Sequence, residues 1–355
     1  MAVHRLSLSG IRNLADARLT FHRHCNVITG ANAAGKTSVL EAIHVLGRAR
    51  SFRVGRLDRV RRDGTAPLML QAEVDDGWQV HRVGVGRDSG GTRVRVDGED
   101  ARGLSQLARL LPVQIINTES QRLLQDGPEA RRSYLNWTVF HVEHDFHVAW
   151  RRFDRALRQR NAALREGQLR LAYSLESELV SAGEVVDGLR RRVLSALEPR
   201  VQERVGQWLG PVRIGLRYRQ GWAKDRSLRQ ALEGQHESEA TVGYTMVGPQ
   251  RAELQIMAEG MEARERLSRG QQKVLVIALL LAQAEVVAAA GGPSPVLLVD
   301  DLPAELDDDH RDEVVASLLA SSGQCFFTAI HAAALPVTQG QQFHVEQGCI
   351  TEMVY

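Results

Sequence analysis

Eight residues near the amino end, Gly30-Ala31-Asn32-Ala33-Ala34-Gly35-Lys36-Thr37, fit the pattern G-x-x-x-x-G-K-[ST]. These residue types suit one chemistry, the holding of a polyphosphate. Glycines let successive backbone N–H groups curve around an anion. A helix that starts there turns the positive end of its dipole toward the same anion. Lys36 is suited to reach the β- and γ-phosphate oxygens and Thr37 to offer a hydroxyl to a Mg2+ shell, with the backbone through Ser38 lining the phosphates. A second stretch, Pro295-Val296-Leu297-Leu298-Val299-Asp300-Asp301, is an apolar run ending in two acids. Asp300 is suited to hold the metal, directly or through water. Asp301 is suited to orient an attacking water or take its proton, so Lys36 and Asp301 are the catalytic candidates. A third stretch, Leu267-Ser268-Arg269-Gly270-Gln271-Gln272-Lys273, puts a capping serine and a glycine ahead of a long apolar run. It makes a second anion site at a helix start. One nucleotide seldom needs two such sites from one chain, whereas two chains facing head to tail would supply one each.

These motifs need elements to carry them. Cys25 to Thr29 is a short β-type run entering Gly30, and Ser38 to Leu46 places Val39, Ile43 and Leu46 on one helical face. Leu68, Leu70, Ala72 and Val74 alternate, then Val83 and Val85, then Val94 and Val96, with turns at 75–77 and 89–91. Antiparallel strands are expected there. From 119 to 234 helical spacing dominates, apart from a short alternating piece at Ile214, Leu216 and Tyr218. After 240 an apolar helix at 271–290, the PVLLVDD strand, a helix near 309–320 and the strand QCFFTAI restore an α/β alternation. The expected domains are a head split between 1–118 and 235–355 and a mainly helical lobe at 119–234.

Bulk composition agrees with a folded, water-soluble chain. The 355 residues are 43% hydrophobic and 25% charged, enough to bury a core. Of the 45 basic residues only Lys36, Lys224 and Lys273 are lysine. Arginine abundance reads as compositional bias, which makes each lysine informative. Net charge is +2, but residues 1–110 carry +7, residues 120–232 carry +8 and residues 233–355 carry −12. Such asymmetry leaves room for a nucleic-acid surface. Cys25, Cys325 and Cys349 have no metal-ligand spacing and read as buried thiols in a reducing cytoplasm. The start lacks the apolar run of a signal peptide. The apolar stretch Val274 to Ala290 contains Gln283 and Glu285 and reads as a buried helix, so no membrane partner is expected.

Taken together, the motifs resemble the ABC-type ATPase heads of the SMC superfamily: LSRGQQK their signature motif, PVLLVDD their Walker B strand, Ala304-Glu305-Leu306-Asp307 their D-loop. The likeness narrows to the bacterial RecF recombination mediators through SLSGIRNL at 7–14, GANAAGKTSVLEAI at 30–43 and Ser51-Phe52-Arg53. Gly127-Pro128-Glu129-Ala130-Arg131-Arg132, Arg160-Asn161-Ala162-Ala163-Leu164 and Gly248-Pro249-Gln250-Arg251 extend it over essentially the whole chain. The resemblance implies an α/β fold, an ABC-type ATPase head with a mixed sheet around the P-loop, an antiparallel β lobe and an inserted helical lobe. It implies ATP and Mg2+ as cofactors, an ATP-dependent head-to-tail homodimer, and binding to DNA at single-strand/double-strand junctions and duplex. It also implies work with RecR- and RecO-type mediators that helps load a RecA-type recombinase in DNA repair, recombination, replication and the SOS response. ATP hydrolysis would be slow and would release the dimer. In this likeness Lys36 and Thr37 serve one protomer's nucleotide, while Ser268, Gly270 and Gln271 contact the γ-phosphate held by the other. Arg12 and Asn13 contact nucleotide beside the loop.

The chain departs from the family pattern at Thr118, at Asn136 in place of an aspartate, at Gln250 and Ala252, and at Ala329 in place of a histidine, with His331 two residues later. These departures imply slow hydrolysis and leave the phosphate loop and Asp300 intact. For DNA, the candidates are Arg131, Arg132, Arg151, Arg155 and Arg158, with Arg152 and Arg190–Arg192 beside them. Arg151, Arg155 and Arg158 share a helical face and suit phosphates rather than bases. The scattered Trp and Tyr make no stacking platform, which favours duplex backbone. A transporter ATPase subunit is disfavoured because Ser268 lies 231 residues after Thr37. An SMC-like chromosome protein would need long heptad arms, and a small P-loop kinase leaves LSRGQQK unexplained.

Overall fold

The computed structural model describes residues 1–62, 67–306, 308–320 and 323–353. The chain forms two compact units, Met1–Ser120 together with Lys273–Tyr355, and Gln121–Gln272. In chain order the first unit has β1 (Ala2–Ser9), β2 (Ala17–Thr20), β3 (Cys25–Thr29) and the helix Lys36–Arg48. There follow β4 (Leu68–Asp75), β5 (Val80–Asp88), β6 (Gly91–Val96), β7 (Glu99–Asp100) and β8 (Val113–Ile116). The second unit contributes β9 (Ile214–Arg219), β10 (Glu253–Ala258) and β11 (Met261–Glu262). The chain returns to the first unit with β12 (Val296–Val299), β13 (Cys325–Ala329), β14 (Gln341–Glu346) and β15 (Cys349–Met353).

Among the described residues the first unit is built on two sheets. One, in the order β2-β1-β4-β5-β6-β7, is antiparallel throughout. The other, β15-β14-β3-β13-β12-β8, is parallel except for the edge strand β15. The difference is written in the strands. Every residue of β3, β12 and β13 is buried, as parallel strands covered on both faces must be. In β4 burial alternates from Leu68 to Asp75, as in a sheet with one face in solvent. The helix Lys36–Arg48 lies between them. Its Val39, Leu40, Ile43 and Leu46 share one core with Leu6, Leu70 and Val85 of the antiparallel sheet and Ile28, Leu298 and Phe326 of the mixed one. The phosphate loop therefore sits on a helix fixed from both sides.

Three long helices, Pro128–Val142, Phe146–Arg165 and Glu176–Leu209, lie in the second unit. Beside them β9, β10 and β11 form a small antiparallel sheet. This unit ends at Gln272 rather than at the expected 234. The reason is tertiary pairing. β10 aligns with β9 from Glu253↔Arg219 to Ala258↔Ile214, and Glu239 is paired with the buried Arg160 at 2.7 Å. The helix Arg269–Ala289 is the one described helix long and apolar enough to cross a membrane. Val274, Leu275, Val276, Leu279 and Leu281 are buried in the protein, which explains its apolar character as core. Cys25 and Cys325 are buried as expected, but Cys349, on the edge strand β15, is exposed.

Candidate nucleotide-binding site

The loop between β3 and the helix Lys36–Arg48 carries the first motif. Two of its glycines are required by geometry. Gly30 has φ +147° and any Cβ there would meet the Val345 carbonyl oxygen at 2.3 Å. Gly35, at φ +124°, would meet Leu14 at 2.6 Å. Ala33 is also in the left-handed region, at φ +64°. The loop is braced from behind. Asn13 Nδ2 donates to the carbonyls of Ala33 and Ala34 at 3.3 and 3.2 Å, and the Gly348 N–H donates to the Ala34 carbonyl at 3.0 Å. No side chain caps the helix at Gly35, and its first turn has no acid. Its amino end is thus arranged for an external anion. Lys36 is buried and donates to the carbonyls of Gly30 and Ala31 at 2.8 and 3.0 Å, which holds its ammonium over the loop.

The second motif meets the first. Asp300, just past β12, accepts hydrogen bonds from Thr37 Oγ1 at 3.1 and 3.0 Å through its two oxygens. The buried Thr328 of β13 donates to the same carboxylate at 2.7 Å and accepts from the Asp301 N–H at 2.8 Å. Parallel pairing of β12 with β13 sets this register. The oxygen donors fit a hard divalent cation. Adjacent ligands of an octahedral Mg2+ with bonds of about 2.1 Å stand about 3 Å apart, and Thr37 and Asp300 oxygens stand 3.0–3.1 Å apart. Asp301 adopts a left-handed backbone, φ 52° and ψ 44°, as the chain leaves the strand.

Two other groups of expected residues make contacts within the chain. The Arg12 guanidinium is taken up by Glu41, at 2.9 and 2.8 Å, and by the Arg59 carbonyl at 2.9 Å. Glu41 is fully buried on the helix Lys36–Arg48. Arg12 thereby ties the segment carrying Asn13 to the phosphate-loop helix. Ser268 and Gln271 make a reciprocal capping box: the Gln271 N–H donates to Ser268 Oγ at 3.3 Å, and the Ser268 N–H donates to Gln271 Oε1 at 3.0 Å. Ser268 and Gly270 are exposed, and a Cβ on Gly270 would meet open space. His331 is exposed and Ala329 buried. Asp307 of the D-loop stretch lies outside the described residues.

The arginines separate as well. Arg131 is bound at 2.9 Å by Glu253 and donates to the Asp126 carbonyl at 2.6 Å. Arg132 donates to the Ala252 carbonyl at 2.9 Å. Both are occupied inside the second unit. Arg158 is paired with Asp154 at 2.7 Å and Arg152 with Glu178 at 2.6 Å. Arg190 is fully buried and donates to Asn136 Oδ1 and the Pro249 carbonyl. Arg151 and Arg155 are exposed, without an ion pair among the described residues. Sequence reasoning did not single out Thr328 or Glu41: nothing in linear spacing links position 328 to 300, or 41 to 12.

Residues 2–348 match the family described as the RecF/RecN/SMC N terminal domain. The DNA replication and repair protein RecF of Stutzerimonas stutzeri (strain A1501) is 42% identical over 363 residues, which cover 99% of this chain and 98% of that protein. The namesake from Pseudomonas syringae pv. syringae (strain B728a) is 40% identical over the same coverage. Among solved structures, that of the recombination mediator protein RecF with ATP in the RecFOR pathway superposes with a TM-score of 0.89 at 21% identity, over 99% of this chain and 98% of the other. With the fold of those ATPase heads, the loop at 30–37 joined to Asp300, and full-length likeness at 40–42% identity, the chain belongs to the bacterial RecF family of the SMC/ABC-type ATPase superfamily.

Proposed function

We propose that the chain is an ATP-switched DNA-binding protein of recombinational repair and replication-gap processing, acting in the cytoplasm. The observation that carries this reading is the meeting of Thr37 with Asp300 at 3.0–3.1 Å beside the uncapped helix start at Gly35. A triphosphate would lie along residues 30–38, with Lys36 on its outer oxygens and Thr37 and Asp300 holding Mg2+. Bound there, the metal would screen phosphate charge. Asp301 orients the attacking water. The exposed Ser268 and Gly270, with the half-buried Gln271, would meet the γ-phosphate of a second protomer, so that ATP bridges two heads placed head to tail. Slow hydrolysis would release the dimer. The DNA substrate is gapped or junction DNA, and the partners are RecR- and RecO-type mediators and, through them, a RecA-type recombinase. The family membership and the names of its relatives support this reading.

The test is light scattering of the protein with and without ATP, on gapped and intact duplex. ATP should double the mass and tighten binding to gapped DNA. Lys36→Met should lose nucleotide binding at least tenfold. Ser268→Arg should keep nucleotide binding and lose the dimer. A protein that stays monomeric with ATP and ignores DNA would sink the reading.

A further inference from the structure

The outer face of the antiparallel sheet in the first unit is a trough of about 900 Å³. Its inward residues belong to the core, and its outward positions are polar or glycine apart from the exposed Met69. Strand register places them in rows. One row runs Arg18, Ser7, Gln71, Gly84, Arg95 across β2, β1, β4, β5 and β6. The next runs Ser9, Met69, Gly86, Arg93, and a third sets Thr20, Arg5, Glu73 and Arg82 side by side. Arginine thus stands on both rims, Arg18 on one and Arg93 with Arg95 on the other, about 19 Å apart by four strand spacings.

The charges are not cancelled. Glu73 and Asp88 are the acids lining the trough. Glu73 is engaged by Arg5 at 3.5 Å, and Asp88 accepts from the Gly90 N–H at 2.8 Å. Arg95 meets the exposed Asp100 at 3.4 Å, and Arg87 is turned to Asp58 at 2.7 Å. Arg18, Arg82 and Arg93 are exposed and have no ion pair among the described residues.

The floor supplies an independent observation. Gly84 and Gly86 stand in the middle of β5, where glycine weakens a strand. Neither is in the left-handed region. A Cβ would sit 3.8 Å from its nearest neighbour at Gly84 and 3.7 Å at Gly86, ordinary contact distances. Backbone geometry does not demand glycine here. What the two residues do is keep the floor flat directly opposite Arg95 and Arg93. Pairing of β5 with both neighbours is continuous, without a bulge, and a strand glycine with no bulge or bend to serve leaves room for another molecule to approach closely. Flat floor, arginine rims and bare outward glycines fit a phosphodiester backbone. The rims are wide enough to straddle a major groove of about 12 Å with the two backbones that border it.

We propose that this sheet face, with Arg18, Arg82 and Arg93 as its free cations, is a duplex-DNA phosphate-binding surface. The proposal rests on the reading of the chain as a DNA-binding protein and places part of that contact on the first unit, in addition to the candidates Arg151 and Arg155 of the second. Contact of this kind is independent of base sequence and falls with salt.

The experiment measures duplex affinity of the full chain against salt concentration for wild type, for Arg18→Ala/Arg82→Ala/Arg93→Ala and for Gly84→Lys. The triple variant removes exposed side chains without an ion pair, and mant-ATP binding should be unchanged. Its log–log salt slope should be shallower by about 3, from about 0.9 per phosphate contact, with affinity at low salt down at least tenfold. Gly84→Lys fills the floor and should weaken duplex affinity at least tenfold despite its added charge; wild-type or tighter affinity in this variant overturns the role given to the glycines. A wild-type slope in the triple variant, with DNA binding retained, overturns the proposal and leaves the DNA-binding reading standing. Absence of DNA binding by wild type in any nucleotide state overturns both. Loss seen with single-stranded oligonucleotide or poly-glutamate but not with duplex also overturns it, pointing to another ligand for the face.

Discussion

Asp300 is fixed by two threonines from two different elements. Thr37 approaches from the phosphate-loop helix and Thr328 from β13. Thr328 does more than donate: its oxygen also receives the Asp301 N–H at 2.8 Å, so one buried hydroxyl sets both acids. Thr328→Val keeps the shape and removes both bonds. Leaving a backbone N–H without its acceptor should cost about 1–3 kcal/mol, read from urea denaturation. Because Asp301 is repositioned while Lys36 is untouched, ATP turnover should fall at least tenfold with ATP affinity within threefold. Equal losses in both would show that Thr328 only supports the fold. At this scale much of the site was legible. The types and spacing at 30–37 and 300–301 point to phosphate and metal with no structure in hand. Thr328 was not legible, because it looks like one more residue of an apolar strand. The pairing of Arg12 with Glu41 was not legible for a similar reason: Glu41 lies 29 residues away and reads as part of a helix face.

The helix Lys36–Arg48 shows how an element carries the site and sets its pH limits. His44 lies on its buried side, with Nδ1 2.8 Å from the Arg50 carbonyl. Burial, and then the nearby Arg48 charge, push the imidazole down to about 4. The folded state therefore favours the neutral ring, while the unfolded chain titrates near 6.5. Stability is complete above that value and falls as pH is lowered through the window between 6.5 and 4. From pH 7 to pH 5 the loss from this residue should be roughly 2 kcal/mol, at about 1.36 kcal/mol per pH unit. His44→Gln keeps a donor for Arg50 and removes the titration. Denaturation at both pH values should show a smaller pH effect in the variant, and an equal effect would assign the loss elsewhere. Elements of this kind were readable from periodicity: the alternation at 68–74 became β4, and Ile214, Leu216 and Tyr218 became part of β9. The boundary at 234 was not. Residues 253–258 alternate plainly, but their pairing with β9 depends on contacts across 34 residues or more, which no local pattern reveals.

At the scale of the molecule the arginines divide by what surrounds them. Some are surface charges free to meet a polyanion, and some are structural. Arg160 is the clearest of the second kind. It is fully buried, with Glu176 and Glu239 each at 2.7 Å and Thr245 Oγ1 also at 2.7 Å. Glu176 in turn meets His236 Nε2 at 2.9 Å. These residues lie on the helix Phe146–Arg165, the helix Glu176–Leu209 and the segment 236–245, so one guanidinium joins three parts of the second unit. Arginine suits this task because its planar fork reaches several acceptors at once. Removing it takes the guanidinium from two buried carboxylates, which costs about 3–5 kcal/mol. Arg160→Met should therefore destabilise the unit Gln121–Gln272, and adding Glu239→Gln should restore part of the loss. Hydrogen exchange reads where the damage falls. If the two units fold as separate cooperative bodies, protection should drop across residues 146–165 and 176–209 while the helix Lys36–Arg48 keeps its own. Equal loss of protection in that helix would mean the chain unfolds as one body. The buried triad would then set the stability of the nucleotide site along with that of its own unit.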